Sequence, residues 1–197
     1  FPWIGAVIGL LSYGVFRFSK WFDGNGGGNY SLFFVIFLIL IPVFITGGIH
    51  LDGFLDTQDA LSSWQTKERR LEILKDSHAG AFAIISCTVY FLMYIGVYSC
   101  LSVRSMEVIA YSFMLSRTLS GLSVVTFPQA RKKGMVADFS ESASTRITRM
   151  VLGIYLIVLN FGGVTGDLCG YFLQVCELVM ALVVVVVDIV VKSGIIK

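Results

Sequence analysis

Charge is what this sequence has least of. Only 14% of its 197 residues are Asp, Glu, Lys or Arg, where a soluble domain carries about a quarter. Whole blocks have none, which excludes an ordinary water-soluble fold. The net charge of +2 is small and scattered, so no nucleic-acid partner is expected. With only His50 and His78 in the chain, a histidine-built zinc site is not expected either. The four cysteines (Cys87, Cys100, Cys169, Cys176) lie in apolar blocks without a CxxC pair. Buried reduced thiols are therefore expected, rather than disulfides or metal ligands. No basic stretch precedes the first apolar block, and the first residue is Phe1 rather than Met. No signal peptide is read, and the natural N-terminus is expected upstream.

What fills the chain instead is hydrophobic: 56% of residues are apolar. A helix needs about 20 apolar residues to cross a hydrocarbon core. Blocks at 1–16, 30–49, 79–103, 108–130, 150–166 and 168–191 supply such runs. The sequence predicts a single all-α domain over 1–197, a polytopic membrane bundle of about six transmembrane segments. Its first span is short and its fifth is marginal. The glycine-rich "DGNGGGNY" at 23–30 predicts a flexible turn. Residues 62–78 predict an amphipathic helix capped by Thr66, and a second polar loop covers 128–146. Loops after blocks two, four and six carry eleven of the fifteen basic residues. Positive charge stays on the cytoplasmic side, so residues 50–78 are expected there, with the active site of a multi-pass cell-membrane protein.

Residues 31–49 carry no charge at all, yet "LDGFLDTQD" then places Asp52, Asp56 and Asp59 within eight positions. On a helix these offsets share one face within an arc of about 60°. Carboxylates about 6 Å apart repel by roughly 2 to 3 kcal/mol at an effective dielectric of about 20. Either one takes up a proton or a cation sits among them. Oxygen ligands without thiolate or imidazole select Mg²⁺, Mn²⁺ or Ca²⁺. Asp76, before the next apolar block, is positioned to join them. Lys67, Arg69, Arg70 and Lys75 crowd the intervening segment; carboxylates for metal beside basic groups for phosphate make the kit for phosphoryl transfer. The plain alternatives are that Asp59 caps a following helix, that Asp52 marks a turn with Gly53, and that the basic run is a solvated or lipid-facing surface.

Arg117 is a separate signal, because burying it mid-segment costs about 3 kcal/mol. It is expected at a functional site, although Asp167, between glycine turns, or Glu177 in the last apolar block could pair with it simply to hold the bundle together.

Four blocks together resemble a known family. "GGIHLDGFLDTQDAL" (47–61), "RRLEILKDSHAGAF" (69–82), the arginine of "LSR" (115–117) and "GGVTGDLCGYFLQVCE" (162–177) occur in the order found in cobalamin synthases. These are adenosylcobinamide-GDP ribazoletransferases. The resemblance implies an integral inner-membrane transferase of cobalamin biosynthesis. Its substrates would be adenosylcobinamide-GDP and α-ribazole or its 5′-phosphate, with Mg²⁺ as cofactor and the lipid bilayer as surroundings; homo-oligomerisation is left open. The ribazole 5′-oxygen would attack the phosphorus on the cobinamide side and expel GMP. The expected assignments are Asp52, Asp56, Asp59 and Asp76 as catalytic metal ligands, one doubling as base. Arg69, Arg70 and Lys75 would contact phosphate, with His50, Arg117 and Asp167 in the substrate site.

Two departures qualify the resemblance. Family members usually begin with a further polar-amphipathic segment and usually place two spans before the "GGxTGD" block, where this chain has only "RMVLGIYLIVLNF". Counting crossings would then face Asp167 away from the cytoplasmic aspartates, unless residues 147–162 do not cross or the block dips into the bundle; a shortened homologue with a compromised site is the third possibility. Two rivals also stand. A CDP-alcohol phosphotransferase-like enzyme fits poorly, because Asp56 and Thr57 occupy the places of its alanine-arginine pair. A cation transporter would carry Mg²⁺ across vesicles without any nucleotide substrate.

Overall fold

In lipid a backbone must satisfy its own hydrogen bonds, and every described element is a helix. The structure, a computed structural model, describes residues 2–25, 31–76, 78–126 and 165–194. In chain order the helices are α1 (Pro2–Gly24), α2 (Ser31–Thr46), α3 (Ile49–Ser62), α4 (Lys67–Ile73), α5 (Ala81–Ser99), α6 (Val103–Thr126) and α7 (Gly166–Lys192). No strand occurs among the described residues. The all-α class is as expected.

By length and apolarity α5 (19 residues) and α7 (27 residues) are membrane-crossing helices, so this is a membrane protein. α1 and α6, at 23 and 24 residues, have the length but are diluted by serines, glycines and charges. The 16-residue α2 qualifies only if the run is counted on into α3. We place α3 outside the spans, because three of its fourteen residues are aspartates. Leu92 is 63% exposed and Val187 55%, the positions of side chains that meet lipid. Nearly all of the fifth expected span, and the polar loop 128–146, lie outside the described residues.

Contacts divide the chain into two units. The first comprises Phe1–Gly48, Val89–Arg117 and Val175–Lys197. Within it α1 packs on α2 through Phe18, Phe22 and Phe34, whose rings meet edge-on at 6.0 Å. α1 also crosses α6 with backbones touching. A Cβ on Gly5 would overlap the Phe113 carbonyl, and one on Gly9 the Ala110 carbonyl. Glycines four apart are what let two membrane helices approach so closely. α2 ends where Gly47 (φ 64°) and Gly48 (φ 79°) turn left-handed. The Gly48 N–H bonds the Val43 carbonyl at 2.9 Å and the Gly47 N–H that of Phe44 at 3.4 Å. This Schellman closure stops the apolar helix without leaving bare carbonyls.

The second unit comprises Ile49–Thr88 and Thr118–Gln174. α4 lies against α3, and Ala60, Leu74 and Leu168 form its buried core, flanked by Leu61, Leu71 and Ile73. Thr66 caps α4 as expected, its hydroxyl accepting the Arg69 N–H at 3.5 Å. The polar segment gives a helix of only seven residues, shorter than the stretch 62–78 suggested. The cysteines are unpaired, but none is fully buried and Cys100 is exposed, which corrects the expectation of buried thiols.

Candidate active site

The aspartate helix meets the start of α7, and both belong to the second unit. Thr165 caps α7: its hydroxyl accepts the Leu168 N–H at 3.2 Å and its carbonyl the Cys169 N–H at 3.1 Å. Asp167 therefore falls in the first helical turn, where the helix dipole favours an anion. Two glycines bring α3 and α7 into backbone contact. A Cβ on Gly53 would lie 2.8 Å from the Asp167 carbonyl oxygen and 2.9 Å from its Cα. One on Gly170 would lie 2.9 Å from the His50 carbonyl oxygen. Phe54 stacks on Tyr171 beside this crossing, centroids 5.5 Å apart.

The crossing sets Asp167 among the aspartates of α3. Asp56 is half-buried, and its carboxyl is pushed up from 3.8 to about 6. Burial is the largest cause, followed by the charges of Asp52, Asp167 and Asp59. Counting crossings left the side of Asp167 open; its charge acts on Asp56 from the start of α7. Ser120 and Ser123 near the end of α6 lie 3.4 Å from the Cys169 carbonyl and 4.0 Å from its Sγ, so α7 starts beside the place where α6 ends.

The other expected residues are distributed as follows. Asp52 is exposed on α3, and His50 is half-buried at the start of that helix, its backbone against Gly170. Asp59 points both carboxylate oxygens at the start of α5, accepting the Gly80 N–H and, at 2.9 Å, the Ala83 N–H. This is the helix-capping alternative. Asp76 lies on the exposed segment after α4, where its Oδ1 accepts the His78 N–H at 3.0 Å and lies 2.8 Å from His78 Nδ1. Those bonds, with the Arg69 charge, hold its carboxyl below the usual range. The charges acting on it are thus not those that act on Asp56. Arg69 is exposed and bonds Glu72 at 2.6 Å; Arg70 is half-buried and Lys75 exposed.

Arg117 belongs to the first unit. Its guanidinium is bonded to Glu177, and both side chains are buried. The Ser116 hydroxyl also reaches Glu177, at 2.9 Å, and Arg117 donates to the Phe113 carbonyl at 3.0 Å. Of the two acids that could pair with Arg117, the partner is Glu177. The pair is the bundle-holding alternative that the burial of Arg117 also allowed.

Whether the acids fit a divalent ion can be judged from the donor set. Asp52, Asp56 and Asp167 offer only hard oxygens, and burial together with the charges of Asp52, Asp167 and Asp59 raises the Asp56 carboxyl. Among the described residues, no group of three or more histidines, cysteines or acids is placed so that it could hold a metal ion. Mg²⁺ seldom has such a cage: it is held by one or two carboxylates and completes its shell with water and substrate phosphate. In chemistry and charge the cluster fits that mode.

The glycine contact was not read from the sequence, although Gly166 and Gly170 show the spacing of close helix crossings. Gly53→Ala is expected to force α3 and α7 apart, at a cost of about 1 to 3 kcal/mol for overpacking against backbone. Thermal unfolding in detergent measures this, and a variant as stable as the parent would contradict the contact.

Comparison with known proteins adds an independent line. A family model described as Cobalamin-5-phosphate synthase matches residues 1–161. The chain is 43% identical over 226 residues to the adenosylcobinamide-GDP ribazoletransferase of Lachnoclostridium phytofermentans, covering 98% of this chain and 85% of that protein. The protein of the same name from Clostridium perfringens (strain SM101) is 31% identical over 212 residues, covering 90% of this chain and 82% of its own. The alignment of 226 residues is longer than this chain of 197, so that relative carries residues without a counterpart here. No solved structure matches. With most of its length matched by the family model and nearly all of it by a relative well above 30% identity, the chain belongs to the cobalamin-5-phosphate synthase family.

Proposed function

We propose that this protein transfers the cobinamide phosphate group of adenosylcobinamide-GDP to α-ribazole or its 5′-phosphate, releasing GMP, in a Mg²⁺-dependent reaction at the cytoplasmic face of the cell membrane. The observation that carries the chemistry is the gathering of Asp52, Asp59 and Asp167 charges around the Asp56 carboxyl. Family membership supplies the substrate class.

Asp56 and Asp167 would hold the ion, with the charge of Asp52 beside them. When bound, Mg²⁺ neutralises charge on the diphosphate and on the departing GMP. Around it, the basic residues of α4 and Lys75 draw the diphosphate toward the cluster. An α3 carboxylate accepts the proton of the attacking ribose hydroxyl. A hydroxyl oxygen bonds to the cobinamide-side phosphorus, and the bond from that phosphorus to the bridging oxygen breaks. The bridging oxygen and its electron pair leave with GMP. An acceptor phosphorylated at its 5′-position has no free 5′-hydroxyl. The nucleophile common to both acceptors is therefore another ribose hydroxyl, which revises the expectation of 5′-attack.

The test is GMP release by purified protein supplied with adenosylcobinamide-GDP and α-ribazole. Release with Mg²⁺ and none with EDTA supports the proposal; no release under either condition would reject it.

Stability should follow the same charges. The folded Asp56 carboxyl, at about 6, lies above its ordinary 3.8. Between those values the folded chain binds more protons than the unfolded one, so stability falls as pH rises through that window. Mg²⁺ replaces the missing proton. It is expected to raise the unfolding temperature more at pH about 7.5 than at pH about 5. An equal rise at both would count against ion binding at Asp56.

A further inference from the structure

We propose that Asp59 is a positioning residue, holding the aspartate helix to the start of α5, and not a ligand of the ion. This rests on the transferase reading above. Both Asp59 oxygens are occupied by backbone amides more than twenty residues away, those of Gly80 and Ala83. The first amides of a helix have no partners within it, and an anion placed there gains from the helix dipole as well. Gly80 is shaped to this contact: a Cβ there would lie 2.5 and 2.7 Å from the two carboxylate oxygens. Asp56 sits one turn before Asp59 on the same helix. Anchoring Asp59 ties α3 to the start of α5. A third reading of the aspartate spacing follows: not every acid on that face serves the ion, and one of them belongs to the scaffold.

The roles separate cleanly in Asp59→Asn and Gly80→Ala. Asparagine offers one acceptor where aspartate offers two, so one amide loses its partner and the charge is lost. Gly80→Ala keeps the carboxylate but crowds it away. Two quantities are read on the full-length protein in detergent: the Mg²⁺ concentration for half-maximal GMP release, and hydrogen exchange of the amides at 80–84. For Asp59→Asn the Mg²⁺ requirement is expected to stay within about twofold, while exchange at the start of α5 speeds about five- to tenfold, the scale of a lost cap. Gly80→Ala is expected to show the same two results. The double variant should be no worse than either single, because both act through one contact. A Mg²⁺ requirement raised tenfold in Asp59→Asn overturns the proposal, whatever the exchange data show. Unchanged exchange in Asp59→Asn overturns it equally. If the parent protein releases no GMP, the transferase reading fails, and the exchange measurement still decides whether Asp59 holds the start of α5.

Discussion

Asp56→Asn is expected to lower GMP release by roughly 10³-fold and, at neutral pH without metal, to make the protein more stable. Opposite signs for activity and stability are the signature of a group held in place against its own preference. Asp56 is half-buried and surrounded by the charges of Asp52, Asp167 and Asp59. Removing its charge relieves that repulsion, while the oxygen pair that would hold an ion is lost. Solvent screens a half-buried group, so the stability gain should be modest, on the order of 1 kcal/mol. Asp167→Asn should lower GMP release likewise, because its charge reaches the same carboxyl from α7. Thermal unfolding and the GMP assay on the same preparations check both halves. A variant that loses activity and stability together would point to a structural role instead.

The largest stability effect is expected in the first unit. Glu177→Leu leaves the Arg117 guanidinium buried without its acid, and such uncompensated charges cost about 3 to 5 kcal/mol. The arginine cannot escape by losing its proton. Arg117→Leu should cost less, since an isolated carboxyl can take up a proton instead. The paired replacement Arg117→Leu with Glu177→Leu should recover much of the loss, because two apolar chains refill part of the space. Denaturation of the four proteins in detergent gives the coupling between the two positions. Additive losses would mean that the two side chains do not stabilise each other.

The fold class was legible because apolar runs of helical length leave few other structures in lipid. The aspartates of α3 were legible because a shared helical face follows from spacing alone. Two things were not. Counting crossings could not locate Asp167, since a count does not say which helices pack together, and the close approach of Gly53 to the Asp167 backbone does. Nor could spacing tell a ligand from a cap. Asp56 and Asp59 look equivalent on a helical wheel, and only the amides of Gly80 and Ala83, brought in from a distant part of the chain, separate them. Arg117 shows the same limit: the cost of burying it signalled importance, but its partner lay sixty residues further along.

The central claim is that a divalent ion, completed by a substrate diphosphate, supplies the counter-charge for the acids where α3 meets α7. Mn²⁺ can stand in for Mg²⁺, and its electron paramagnetic resonance signal counts bound ions directly. With GDP present, the parent protein and Asp59→Asn are expected to bind about one Mn²⁺ each, whereas Asp56→Asn and Asp167→Asn should bind it at least about tenfold more weakly. Equal Mn²⁺ binding by all four proteins would contradict the account.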